Sequence, residues 1–230
     1  MLIALKNTLI FALVTGPISY VLCLLFAWFI NDLPRRIRTV LTVVIYAPSI
    51  CGTVFQVWQY IFGADAHGLL NGFLMKYGLI NEPIAWLIDS RYSLWVLIIV
   101  QLWLSLGLGF LAFIAGLQGI DSSLYEAGAM DGIRNRFQEL WYITLPSMAP
   151  VLLFGAVMQI VGSFGVGAIS IQLCGFPSTD YSAETVITHI IDYGSIRFEM
   201  GYACTIAAAL FIFMFFTQRV ITKLLSKVGT

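Results

Sequence analysis

Charge is what this sequence has least of. Asp, Glu, Lys and Arg make up 10% of its 230 residues and hydrophobic residues 60%, a mixture that a water-soluble domain could not hide from water. The 12 basic and 12 acidic residues cancel, and the basic ones are scattered, which argues against nucleic acid or a polyanionic ligand as partner. Two histidines, His67 and His189, lie near Asp65 and Asp192, but no third or fourth ligand completes a metal centre. The four cysteines, Cys23, Cys51, Cys174 and Cys204, are far apart and form no C-x-x-C pair, so they read as small core residues. No G-x-x-x-x-G-K-[ST] phosphate loop occurs, so the chain is not expected to hydrolyse ATP by itself, and no cofactor is implied. No cluster of His, Asp or Glu suggests an intramembrane enzyme. The N-terminus lacks a basic leader region and a small-residue cleavage site, so the first apolar helix is expected to stay in the mature chain.

What is there instead is long apolar runs. Crossing ~30 Å of hydrocarbon takes ~20 apolar residues in a helix. Five stretches qualify, at about 8–30, 39–62, 93–117, 148–171 and 201–222. Their uncharged lengths exceed the ~10-residue alternating segments of a barrel strand, so the expected fold class is an all-α membrane protein of about five spans, one transmembrane domain over 1–230, embedded in the lipid bilayer. Arg35, Arg36 and Arg38 follow the first span, Arg134 and Arg136 precede the fourth, and Arg219, Lys223 and Lys227 end the chain. Positively charged loops are retained in the cytoplasm, so these clusters share that side and the N-terminus lies outside.

Two external segments are legible. Leu69, Leu70, Phe73, Leu74 and Tyr77 recur with the spacing of a short helix with one apolar face, expected along the membrane surface. Trp58, Tyr60, Trp86, Tyr92 and Trp95 sit near span ends as headgroup anchors. After the fourth span, Cys174-Gly-Phe-Pro-Ser-Thr-Asp180 is a turn-rich loop, followed by a polar helical stretch over 183–193. No ionisable residue lies at depth in a span. Ion-coupled carriers usually need one, which lowers the odds of such transport and directs attention to a cytoplasmic feature through which force could be applied. An ion-coupled secondary transporter or channel subunit remains the alternative.

The loop over 119–147 is that feature. Ser123 is placed to cap a first short helix, with Glu126 at the third helical position of a capping box, and Gly132 to end it with positive φ. Ala127, Gly128 and Ala129 strip this helix of bulk, so another protein could approach its backbone. A second helix displays Phe137, Leu140, Trp141 and Ile143, and Pro146 restarts the chain near the fourth span.

This stretch resembles the EAA loop of bacterial ABC-importer permeases, whose pattern is Glu-Ala-Ala, three residues, Gly, nine residues, Ile, one residue, Leu-Pro. Glu126, Ala127, Gly132, Ile143, Leu145 and Pro146 occupy its positions, with Asp131 before the glycine as in sugar permeases. Gly128 departs from the second alanine, and ten residues rather than nine precede Ile143, an insertion expected to turn the second helix by about a third of a turn. The resemblance is greatest to the carbohydrate (maltose and multiple-sugar) type. Asn7-Thr-Leu-Ile-Phe11 looks like the approach to the family's second helix, and Leu70-Asn-Gly-Phe-Leu74 with Ile84-Ala-Trp-Leu87 like its external scoop. Gly201-Tyr-Ala-Cys-Thr205 looks like the start of its last helix. Such permeases typically have six helices, so a shortened start is expected.

The resemblance implies a type I ABC-importer permease in the bacterial inner membrane. It implies a second permease subunit, an ATP-binding-cassette ATPase dimer, an extracellular solute-binding protein and a small-molecule solute, expected to be a carbohydrate. Within it, Glu126 is expected to carry the charge that anchors the first loop helix in a groove of the ATPase. Glu126 can equally serve as a cap for Ser123.

On the fourth span, Gly155, Gln159, Ser163, Gly167 and Ser170 form one helical face. It reads as a small-residue packing seam, or as a pathway in which Gln159 and Ser163 meet substrate hydroxyls. Pro17 and Pro48 are candidate kinks.

Overall fold

The computed structural model describes residues 1–225. Lys227, assigned above to the cytoplasmic side, lies outside them. The described residues are helical and irregular, with no strand among them. Helices α1 (Leu2–Asn31), α2 (Arg35–Ile50), α3 (Val54–Ile61) and α4 (Leu69–Lys76) are followed by α5 (Ser93–Leu104) and α6 (Leu108–Gln118). The loop region holds α7 (Ser122–Met130), α8 (Arg136–Glu139), a π turn (Leu140–Thr144) and α9 (Leu145–Ser147). Then come α10 (Ala149–Phe164), α11 (Gly167–Cys174), α12 (Val186–Ile191), a second π turn (Asp192–Ile196) and α13 (Met200–Leu225).

Three helical stretches are each long and apolar enough to cross a membrane: α1, α5 with α6, and α13. Two further spans exist only as bent pairs. Where a single span was expected over 39–62, α2 and α3 meet at 87° across Cys51 to Thr53. Gly52 and Pro48 supply the physical reason, one with no side chain to hold a helix and the other with no N–H. The arm Arg136–Ser147 meets α10 at 83°. The restart expected at Pro146 falls at Met148, and Pro150 takes the first-turn position where its missing N–H is harmless. The fourth span is also interrupted at Gly165 and Val166, and the third at 105–107. Pro17, by contrast, leaves α1 continuous. Ser19 Oγ donates to Gly16 O at 3.1 Å and Thr15 Oγ1 to Phe11 O at 2.8 Å beside it.

The core has two main parts. One, toward the C-terminal end of α1, gathers Ala27, Ile30, Phe110, Phe113, Leu117, Leu145 and Met148. The other, toward its N-terminal end, gathers Phe11, Leu97, Val100, Val166 and Leu173. Close helix approach is purchased with glycine: a Cβ on Gly155 would lie 2.4 Å from Phe113 Cζ, and one on Gly167 would lie 2.3 Å from Ile187 Cγ2. The face Gly155, Gln159, Ser163, Gly167 and Ser170 is buried throughout, as a packing seam requires.

The surface helix α4 forms as its spacing predicts, but its organiser is the buried Asn71. Asn71 Nδ2 donates to Ile84 O at 2.9 Å and Gly63 O at 3.0 Å, and Oδ1 accepts from Trp86 Nε1 at 2.8 Å. Trp86 is therefore held by the protein rather than by headgroups, and Trp58 packs edge-on against Trp103 at 5.2 Å. The cysteine reading holds for buried Cys23; Cys174 is half-buried, whereas Cys51, in the break after α2, and Cys204, on α13, are exposed on this chain.

Candidate functional site

The loop between the third and fourth spans is built outward from the core. Leu145 and Met148 are buried in the cluster at the C-terminal end of α1. From that root, Arg136 pairs with Asp32 just past the end of α1, and Phe137 lies against Trp28 at 5.5 Å. Arg38 Nη1 donates to Asn31 Oδ1 at 3.2 Å, so Arg38 and Arg136, from two of the basic clusters expected on one side, meet at the C-terminal end of α1. Tyr125 OH and Thr144 Oγ1 lie 3.0 Å apart and tie α7 to the π turn.

Capping of α7 differs from expectation. Asp121, not Ser123, is the N-cap: its carboxylate accepts from Ser123 N at 3.0 Å, and that hydrogen bond holds its pKa below the ordinary carboxylate value. Asp121 takes the cap because α7 begins at Ser122, two residues before the pattern placed it, so the free N–H of Ser123 falls within reach of the Asp121 carboxylate. Glu126 thus falls outside the capping position, is exposed, and has no hydrogen-bond or ion-pair partner among the described residues. The other end follows the sequence. Gly132 adopts φ +93°, Ile133 N donates to Gly128 O at 3.0 Å and Gly132 N to Ala129 O at 3.3 Å, the paired bonds of a Schellman stop.

Both departures from the EAA pattern acquire physical reasons. A Cβ on Gly128 would lie 2.5 Å from Ile143 Cδ1 and 3.2 Å from Ile133 Cδ1, so the alanine of the pattern would require these side-chain ends to shift. The extra residue before Ile143 does not turn the second helix as a whole. It is taken up in the π turn Leu140–Thr144, whose i to i+5 bonding holds one more residue per turn than an α turn. Ile143 thereby still meets Gly128, and Leu145 still reaches the core. Ala127, Asp131 and Pro146 are exposed, as are Leu124, Met130, Trp141 and Tyr142, giving a mixed apolar and acidic surface at this end.

Gln159 and Ser163 lie elsewhere, inside the bundle. Gln159 Nε2 donates to Cys23 Sγ at 3.1 Å and to Ser105 O at 3.2 Å, and Oε1 accepts from Ser19 Oγ at 3.0 Å. Ser105 sits at the break between α5 and α6, where its carbonyl has lost its helical partner, so Gln159 closes that gap. Ser163 Oγ donates to Ile160 O at 2.9 Å. Both border a cavity of about 450 Å³ between α1, α10 and α13, whose other walls include Leu9, Leu13, Phe164 and Phe213. A different exposed polar face was missed by the sequence reading: Gln59 Nε2 donates to Gln172 O at 2.6 Å, next to the Trp58 and Trp103 pair. Only the bend between α2 and α3 brings these residues together, and the run of hydropathy hides such a bend.

Spans, bent pairs and a loop rooted in the core define the class as a multi-pass membrane protein. The chain belongs to the family described as binding-protein-dependent transport system inner membrane component, which matches residues 5–228. It is 28% identical over 223 residues to the arabinooligosaccharides transport system permease protein AraP of Bacillus subtilis (strain 168), covering 96% of this chain and 70% of that one. It is 32% identical over 162 residues to the lactose transport system permease protein LacF of Rhizobium radiobacter, covering 70% of this chain and 53% of that one. To the sn-glycerol-3-phosphate transport system permease protein UgpA of Agrobacterium fabrum it is 29% identical, covering 94% and 76%. The fold matches a bacterial ABC transporter involved in import of the acidic polysaccharide alginate with a TM-score of 0.78 at 24% identity, over 99% of this chain and 78% of that one. A second structure, of the alginate transporter in complex with an alginate pentasaccharide-bound periplasmic protein, matches with a TM-score of 0.76 at 25% identity, over 97% and 76%.

Proposed function

We propose that this chain is a permease subunit of an ATP-driven importer, forming half of the pathway for a sugar and receiving force through α7. The observation that carries the reading is Glu126: an exposed carboxylate, with no internal partner and no capping duty, on a small-faced helix rooted in the core. A charge placed in that way is available to another protein. The relatives' names support a carbohydrate solute, and the neighbour in complex with a periplasmic protein supports delivery by a solute-binding protein. The remaining partners are a second permease subunit and an ATPase dimer that hydrolyses ATP in place of this chain. In this reading α7 is the docking element and presents Ala127, Asp131 and Gly132, while Gly128 on its buried face seats it on Ile143, and Ile143, Leu145 and Pro146 connect it to the spans.

The test is Glu126→Gln in the assembled importer. Since Asp121 caps α7, the substitution removes charge without removing a cap. Loss of ATPase copurification and of ATP-driven uptake is expected. Retention of both would show that the loop does not anchor a motor through this residue.

A further inference from the structure

At the opposite end of α1 from the coupling loop, a second, polar pocket of about 220 Å³ opens among Ser170, Tyr181, Glu184, Thr188, Asp192 and Arg197. At the ~30 Å³ that a water occupies in the liquid, it has room for about seven waters or one small solute.

The pocket is held in shape rather than left as a loose loop. Asn7, on α1, donates its amide to Ser182 O at 2.9 Å, Glu184 O at 3.0 Å and Tyr181 O at 3.4 Å. Thr8 Oγ1 accepts from Val186 N at 2.9 Å, and the hydroxyls of Ser93 and Ser182 meet at 2.9 Å. Asp180, Tyr181 and Phe198 have φ of 51°, 54° and 58°, the left-handed region that side chains other than glycine rarely adopt. Such residues persist only where their surroundings over-determine them, and they gather at ligand clamps. The π turn Asp192–Ile196 adds to this by bringing Arg197 back over Asp192, with Arg197 N donating to Asp192 O at 2.9 Å.

The chemistry of the walls narrows the occupant. Glu184 and Asp192 are largely buried, with 12% and 17% of their side chains exposed, and each has one oxygen engaged: Glu184 by the ring Nδ1 of His189 and Asp192 by the guanidinium Nη2 of Arg197, both at 2.9 Å. Their second oxygens, and the Tyr181 hydroxyl, have no partner among the described residues. Two carboxylates disfavour an anion, and among the described residues no group of three His, Cys, Asp or Glu is placed to hold a metal ion. What remains well matched is a neutral solute with many hydroxyls. Its O–H groups donate to the carboxylates in charge-assisted bonds, its oxygens accept from Arg197, and its C–H face lies on Tyr181 and Phe176.

We propose that this pocket is an external saccharide subsite that holds one sugar ring of the transported solute before it enters the membrane. The proposal rests on the sugar-import reading above. It is tested with the whole importer in nanodiscs without the solute-binding protein, using arabinotriose and lactose as probes. Uptake by the complete system first establishes which probe is carried. That probe is expected to give a saturation-transfer NMR signal on the nanodisc complex. The signal falls at least tenfold in Glu184→Gln with Asp192→Asn. It falls about threefold in Tyr181→Phe, which removes only an exposed hydroxyl and leaves the fold intact. A carried sugar that gives no signal, or a signal that these substitutions leave unchanged, overturns the subsite while import stands. Uptake of neither probe, nor of any other sugar in a panel of neutral mono- and oligosaccharides, by an ATPase-competent assembly overturns the sugar reading itself, and the subsite with it.

Discussion

Replacing Gln159 with leucine separates its two possible duties. The side chains are close in volume and helix propensity, so the substitution removes hydrogen bonds with little change in packing. Three bonds are lost, to Cys23, Ser105 and Ser19, joining α10 to α1 and to the break between α5 and α6. Hydrogen bonds between helices in membrane proteins average ~0.6 kcal/mol and reach ~1.7, so the set contributes about 2 kcal/mol at the average and about 5 at most. For a chain of this size each kcal/mol lowers Tm by ~2 to 4 °C. Leucine at 159 is therefore expected to lower the melting temperature of the purified subunit by about 4 to 8 °C at the average bond strength. Sugar affinity of the surviving complex should stay unchanged. The assay is a thermal shift in detergent paired with uptake kinetics. An unaltered melting temperature together with a raised KM would refute the clasp and place Gln159 in the sugar's path.

Three further outcomes follow from the coupling loop. Gly128→Ala trades a gain of ~1 kcal/mol in helix propensity against ~1 to 3 kcal/mol of overpacking on Ile143, so the complex should melt lower. Adding Ile143→Val removes the colliding Cδ1 atom and should restore stability, whereas equal effects in both backgrounds would disprove the contact. Asp32→Arg and Arg136→Asp are each expected to impair ATP-driven uptake and to recover it when combined. Because both groups are substantially exposed, folding stability should change by less than ~1 kcal/mol. For Asp121, whose pKa is lowered on folding, the cap contributes fully above the ordinary carboxylate pKa and is lost as pH falls through the lowered value. Acid should thus fray the first turn of α7. Hydrogen exchange, corrected for its intrinsic pH dependence, should show this in the native protein and not in Asp121→Asn.

The spans and the coupling loop were legible because each depends on residues close in sequence. Apolar length marks a span, and the run from Glu126 to Gly132 marks a short helix with a small face and a glycine stop. Breaks within spans were not legible. Hydropathy runs unbroken through Cys51 to Thr53, through 105–107 and through Gly165, although the backbone does not. The capping residue was misassigned because Asp121 and Ser123 are both good caps, and only the turn of backbone before α7 decides between them. The π turn was equally invisible, since ten residues in place of nine signal an insertion without saying where it is absorbed. Gln159 shows the general difficulty. An amide in an apolar stretch announces a polar duty, but its partners lie on other helices, up to 140 residues away for the bond to Ser19.

Helix α1 is gripped near both ends, by Asn7 and Thr8 on the external loop and by Asp32 just beyond its last turn on the coupling arm. At 1.5 Å per residue those grips are about 37 Å apart, a span that an α-helix maintains through its own hydrogen bonds. The helix is therefore a strut of fixed length between the two membrane faces. In the proposed importer, a shove delivered at the cytoplasmic arm would arrive at the outer loop as a displacement of similar size, with no relay of side chains needed in between.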